Sequence, residues 1–178
     1  MEVTMTSRME DEKPWKVDLA RRSNQRRERI AQEIEEGVKS APSFEEALSR
    51  TVEHLKRRFA RFTSVTAYVA DGEDLVVHTS IDRPAGPERV WSGGGPVADA
   101  AQGQAPTVVA SLNNNEAWSG VGLAAGSVAV APVRTEAGLW AVLEIWSDLR
   151  DAITAQDVRF LERVCAALGR KTPAVTAD

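Results

Sequence analysis

Apolar residues recur along this chain at two periods, and the change from one to the other marks out its elements. Phe44, Leu48, Val52, Leu55 and Phe59 are spaced by three and four, which puts five large groups on one face of a helix. Ser43 and Glu46 open that helix as a capping box, each side chain satisfying the other residue's free backbone N–H. From Ser64 the period drops to two. SVTAYVA (64–70) and DLVVHTS (74–80) alternate and are rich in β-branched residues, with Asp71-Gly72 between them, so a hairpin is predicted. A short strand over 89–92, the glycine run Gly93-Gly94-Gly95 and a proline-led helix over 96–101 follow. Further strands are predicted at 107–110, 127–133 and 138–147, the last two joined by a loop at 134–138. The helical period then returns from Thr154 to about Gly169. Thr154 and Asp157 cap that helix, and Val158, Leu161, Val164, Cys165 and Leu168 face the core.

Upstream, residues 14–40 have a helical composition with Pro14 in the first turn, and Gly37 suits an end or a break. Leu19, Ile30, Ile34 and Val38 form only a thin apolar stripe, so this helix is expected to pack on a partner helix rather than form a core. Residues 1–13 are polar and aperiodic, and both they and the tail 171–178 are expected to be disordered or loose. The globular unit is then 41–170. Mixed strands with flanking helices imply an α+β fold with a mostly antiparallel sheet.

At 178 residues and 43% hydrophobic content, the chain has length for one well-cored domain plus an extension. Its 22 Lys+Arg nearly balance 26 Asp+Glu, which disfavours nucleic acid as a partner. The basic run Arg21, Arg22, Arg26, Arg27 and Arg29 is interleaved with Glu28, Glu33, Glu35 and Glu36. It reads as a solvated helix with local pairs such as Arg29 with Glu33. The single cysteine, Cys165, excludes an internal disulfide and a thiolate-rich zinc site, and its place on an apolar stripe makes it an inert core residue. His54 and His78 lack metal-ligand spacing, and no serine lies in a G-x-S-x-G context. No catalytic residue, metal or cofactor is therefore expected. The polar start has no signal-peptide core, and no window approaches the ~18 apolar residues of a membrane span. A cytoplasmic setting without a membrane partner is expected.

Several segments carry a family resemblance. GPERVWSGGGPVADAA, SVAVAPV with Pro132, AVLEIWSD, and DAITAQDVRFLERVCAAL with Asp157 ahead of Phe160-Leu161 occur in the order and spacing of a GAF domain. The chain resembles that family over roughly residues 43–169. The resemblance implies a five- or six-stranded sheet. It puts the terminal helices on one face of that sheet and the short helix and a long loop on the other.

Within the family, the free methionine-R-sulfoxide reductases are similar in size and act through thiolates. Aligning the glycine turns places their cysteines near Pro87, Val97 and Gly120, and the acid of their penultimate strand near Ser127; only Glu144 keeps an acid in the last strand. Bilin attachment lacks its thiol in the same way. The resemblance therefore implies a non-catalytic sensor or interaction module. A reductase-like enzyme with unrecognised chemistry and a ligand-free scaffold stand as alternatives.

In the family the ligand lies between the sheet and the layer of short helix and loop. The matching positions here are Tyr68, Trp91, Asn113, Asn114, Trp118, Trp140, Glu144 and Trp146, with the 112–126 loop as a lid over an unknown small molecule. Core or interface packing accounts for the tryptophans equally well. Alternation puts Trp140, Val142, Glu144 and Trp146 on one strand face, opposite Ala141, Leu143 and Ile145. The acid is then either on the solvent side or the polar group of an aromatic pocket. The terminal helices of the family commonly form a dimeric bundle, and Leu19, Ile30, Ile34 and Val38 suit such a homodimer seam. With no output domain fused, a signal would pass to a separate signalling protein.

Overall fold

The period-two segments pair into one sheet in which every neighbouring pair is antiparallel. The structure is a computed structural model and describes residues 14–82, 88–91, 95–103, 105–109 and 126–171. The elements are α1 (Pro14–Ser40), α2 (Phe44–Arg58), β1 (Ser64–Asp71), β2 (Asp74–Ile81), β3 (Arg89–Trp91), α3 (Pro96–Gln102), β4 (Thr107–Val109), β5 (Ser127–Thr135), β6 (Gly138–Ser147) and α4 (Ala155–Arg170). The strand order is β3-β2-β1-β6-β5-β4, so the first and last long strands of the domain lie side by side at the centre. Residues 1–13, 92–94, 110–125 and 172–178 lie outside the described residues, and with them the expected loose termini, two of the three run glycines and nearly all of the lid.

Alternation divides the sheet into two apolar faces. Val65 and Ala67 of β1, Ala129, Ala131 and Val133 of β5, and Ala141, Leu143 and Ile145 of β6 join the stripes of α2 and α4 in the larger core. On the other face Tyr68, Val128, Val130, Val142 and Trp146 meet Val97 and Ala100 of α3. Burying a side chain of this size contributes about 1.5–3 kcal/mol, so the two faces together commit the sheet to its register. Phe59 ends α2 as its C-cap and stays in the core, its ring stacked on Phe62 at 4.7 Å.

The caps form as read, with one difference. Thr154 and Asp157 make a complete capping box on α4. Ser43 accepts from the Glu46 N–H at 3.1 Å, but the Glu46 carboxylate turns to Arg50 Nε at 2.8 Å instead of back to the Ser43 backbone.

Helix α1 departs further from expectation. It runs unbroken through Gly37, because Val38 beyond it is buried and the Ala41 N–H donates to the Gly37 carbonyl at 3.0 Å. Its stripe also has a different partner. Ile30, Ile34 and Val38 are at most 3% exposed within their own chain's core, packed with α2 and α4, so they are not available as a seam for a second copy. Of the four seam residues only Leu19 is exposed, on the first turns of α1 together with Trp15 and Val17. Arg163 of α4 clamps α1 from the side, with Nε on Glu35 at 2.7 Å and Nη1 on Glu28 at 2.6 Å.

Candidate functional site

The α3 face of the sheet carries the polar groups that a binding site needs. Register sets three rows across its centre: Ser64, Trp146 and Val128; then Thr66, Glu144 and Val130; then Tyr68, Val142 and Pro132. Glu144 therefore sits in the middle of an otherwise apolar and hydroxyl-bearing floor. Tyr68 is 3% exposed, and its hydroxyl reaches towards Glu144 Oε1 at 3.4 Å. Trp146 is buried at the end of the strand. There a Cβ on Gly126 would lie 3.4 Å from the Trp146 indole nitrogen and well inside 3.0 Å of the Ser147 carbonyl, so only glycine allows the chain to cross at that point.

Ser64 and Thr66 were not singled out by the sequence, and they are the informative residues here. Both are almost fully buried, and neither hydroxyl has a hydrogen-bond partner among the described residues. Leaving such a group unsatisfied costs about 1–3 kcal/mol, and native folds leave few of them. Two on one strand, one of them opposite a carboxylate, point to something that supplies the missing bonds. The signal for them in the sequence was their i, i+2 spacing with Tyr68, which puts all three on one face.

Of the eight predicted contacts the structure brings together Tyr68, Glu144 and Trp146. Trp140 is not among them. Strand β6 has an extra residue here, since Val133 pairs with Ala141 while Arg134 pairs with Leu139, and Trp140 has no opposite number. A bulge of this kind reverses the alternation. Trp140 thus turns to the helix side and meets the edge of Phe44 at 5.1 Å, while Leu139 takes the α3 side. Trp91 pairs with Asp74 in β3, but its side chain lies outside the described residues, as do Asn113, Asn114 and Trp118. The same irregularity in β2 leaves His78 unpaired in the ladder, with its ring 3.4 Å from the Ser49 hydroxyl on α2.

No thiol reaches this face. Cys165 lies on α4 with Sγ 3.7 Å from the Ala131 carbonyl, and burial pushes its thiol well above the ordinary range, which disfavours the reactive thiolate. Val97 packs in the apolar layer, and Ser127 donates its hydroxyl to the Leu149 carbonyl at 2.9 Å. Among the described residues no group of three His, Cys, Asp or Glu side chains is placed to hold a metal. No helix among them is long and apolar enough to cross a membrane.

On the helix side, Glu33 does not pair locally. It joins Arg58 and His54 of α2, the imidazole Nε2 lying 3.0 Å from Oε2. Glu33 loses some solvation, yet Arg58 and His54 hold its carboxyl below the usual range. Burial pushes His54 below its ordinary 6.5 against the opposing bond to Glu33, with Arg57 and Arg58 adding to the depression. The folded state thus takes up the His54 proton less readily than the unfolded chain. Its contribution to stability is full above pH 6.5 and is lost as pH falls through the folded value. Thermal unfolding should show a lower midpoint at pH 5.5 than at pH 7.5, and His54→Gln should flatten that difference. An unchanged difference in the variant would remove His54 from the account.

The comparisons agree with this architecture. A family model described as GAF domain matches residues 41–170. Among solved structures, a putative GAF sensor protein from Burkholderia vietnamiensis superposes with a TM-score of 0.76 at 21% identity, over 83% of this chain and 94% of that one. The free methionine-R-sulfoxide reductase of Neisseria meningitidis, in complex with its substrate, gives 0.74 at 21% identity, over 82% and 87%. The GAF domain of a phosphoenolpyruvate-protein phosphotransferase from Coxiella burnetii gives 0.71 at 17% identity, over 83% and 93%. Among curated protein sequences none matches. At these identities the structural likenesses speak for the fold alone, but the family model spans most of the chain. This chain belongs to the GAF domain family.

Proposed function

We propose that this GAF domain is a non-catalytic sensor that binds a small molecule on the α3 face of its sheet. The orphaned Ser64 and Thr66 hydroxyls beside Glu144 carry the reading. A ligand with a hydrogen-bond donor for Glu144 and a polar edge for the two hydroxyls would complete the floor, its flat or apolar body lying against Tyr68, Val142 and Trp146. The helices α1 and α4, clamped together by Arg163, are the path outward to a separate partner protein. A reductase role is disfavoured because the chain's one thiol is buried on the other side of the sheet.

A panel of free amino acids, purines and small aromatic acids, read by thermal shift and tryptophan emission, tests this. A ligand should raise the melting temperature, and Glu144→Gln should abolish the rise. Thr66→Val separates binding from folding. It removes an unsatisfied hydroxyl, so the unliganded protein should gain about 1 kcal/mol in urea unfolding while losing the ligand response. A loss of stability in that variant would mean the hydroxyl is already satisfied, and the reading would fall. Turnover of methionine-R-sulfoxide with a thiol reductant would overturn the non-catalytic assignment.

A homodimer is part of this proposal, through the exposed first turns of α1, where Trp15 and Leu19 lie one turn apart on the same side. Light scattering should show the dimer and its loss in a Trp15→Ala, Leu19→Ala double variant. A monomeric parent would remove this element.

A further inference from the structure

The basic run of α1 meets a second set of arginines that lies far away in sequence. Arg26 and Arg27 of α1 face Arg58, the last residue of α2, and Arg61 of the following turn, around a cleft of about 200 Å³ that also takes in Ser23 and the Phe59 ring. That is many times the roughly 10–15 Å³ that one water requires. We infer that this cleft is an oxyanion site, built for a phosphoryl group from free phosphate or from a small phosphate ester.

Charge is the first argument. Four guanidiniums converge, and two carboxylates answer them. Asp157 Oδ1 is shared between Arg27 and Arg61, and Glu33 lies at the far side on Arg58. Two positive charges remain, which matches a phosphoryl group carrying about −1.5 to −2 near neutral pH. The excess is too local for a nucleic-acid surface and sits in a concave site sized for one group.

Donor geometry is the second. Each guanidinium offers five N–H donors in a fixed plane. Arg27 commits most of its donors, through Nε and Nη2 to Asp157 and through Nη1 to Ser23 Oγ at 2.6 Å and Gln156 Oε1 at 3.2 Å. The other three commit fewer: Arg26 Nη2 donates to the Arg58 carbonyl at 2.7 Å, Arg58 uses Nε and Nη2 on His54 and Glu33, and Arg61 uses Nη2 on Asp157. Arg61 Nε is buried without a partner among the described residues. Ser23, accepting from Arg27, keeps its own O–H to donate.

Preorganisation is the third. The Arg61 guanidinium carbon lies 5.3 Å from the Phe59 ring and 5.1 Å from the Phe62 ring, and Arg27 is held by Asp157. Side chains fixed before the anion arrives lose little freedom when they bind it, and guanidinium planes suit phosphate oxygens in pairs. The site is on the helix side of the sheet, so it stands independently of the α3-face pocket. An anion there would tie α1 to the end of α2 and, through Asp157, to the start of α4.

Calorimetric titration and thermal shift with inorganic phosphate, glycerol phosphate and a nucleoside monophosphate test this, against chloride at matched ionic strength. Saturable, phosphate-specific stabilisation is expected. Arg26→Gln with Arg58→Gln should weaken it at least about tenfold, a change of about 1.4 kcal/mol. These two residues are chosen because neither bonds Asp157, so the α1–α4 junction stays intact although two α1–α2 bonds are lost, and circular dichroism checks that the double variant is folded. Thr66→Val should leave phosphate binding unchanged. Tighter binding of the esters than of phosphate assigns the site to a phosphorylated metabolite, and the reverse order assigns it to the free ion. A response no larger than that of matched chloride, or one untouched in a folded double variant, overturns the inference.

Discussion

Asp157→Ala should cost about 3–5 kcal/mol of folding stability, a large share of the roughly 5–15 kcal/mol available to a domain of this kind. The carboxylate is fully buried and holds three things at once. Its Oδ1 takes Arg27 Nε at 3.0 Å and also the Arg61 guanidinium. Its Oδ2 takes the Thr154 backbone N–H at 2.9 Å and the Thr154 hydroxyl at 2.8 Å. Alanine would leave two guanidiniums facing each other, Arg27 only 11% exposed, and would also open the α4 cap, itself a matter of about 1 kcal/mol.

Asp157→Asn sorts these contributions. Its amide oxygen keeps a cap acceptor but supplies no charge, so its loss should fall between wild type and alanine. Urea unfolding measures both. If alanine costs less than about 1 kcal/mol, the arginines find other partners or water, and the carboxylate is not the junction's anchor. Adding phosphate to Asp157→Ala gives a further comparison, since an anion in the neighbouring cleft should return part of the loss.

Much of this fold was readable from side-chain spacing, because period and capping are local properties. The hairpin at 64–81, the α4 cap and the α2 stripe all follow from residues within a turn or a strand of one another. Tyr68, Glu144 and Trp146 were legible as pocket candidates for the same reason, since strand alternation fixes their face. What failed depends on partners far along the chain. Trp140 was misplaced because a bulge is set by how β6 pairs with β5, and no single strand records it. Ile30, Ile34 and Val38 read as a seam for another molecule, since a stripe states that a face is covered but not by what. Arg27 read as a solvated cation, while its carboxylate lies 130 residues away. Ser64 and Thr66 could be placed on the site face but not seen to lack partners, which is a property of the packed site.

Gly169→Ala should destabilise the protein by about 1–3 kcal/mol, against the sign that helix propensity gives. Within α4 an alanine at this position would gain about 1 kcal/mol from propensity alone. The added Cβ, however, would come well inside 3.0 Å of the Arg134 carbonyl, a backbone atom of β5 that cannot swing aside. Either α4 lifts from the sheet, opening the core around Leu161, Val164 and Leu168, or β5 shifts and disturbs the ladder it shares with β6. The same substitution at Gly37 isolates the propensity effect. It too lies inside a helix, but nothing stands within 4 Å of its Cβ position, so Gly37→Ala should stabilise by about 0.5–1 kcal/mol. The two variants should therefore move the urea midpoint in opposite directions. A Gly169→Ala protein as stable as wild type would mean that α4 and β5 approach less closely than described. That would also loosen the contact by which β5 could pass a change on the ligand face to the helices.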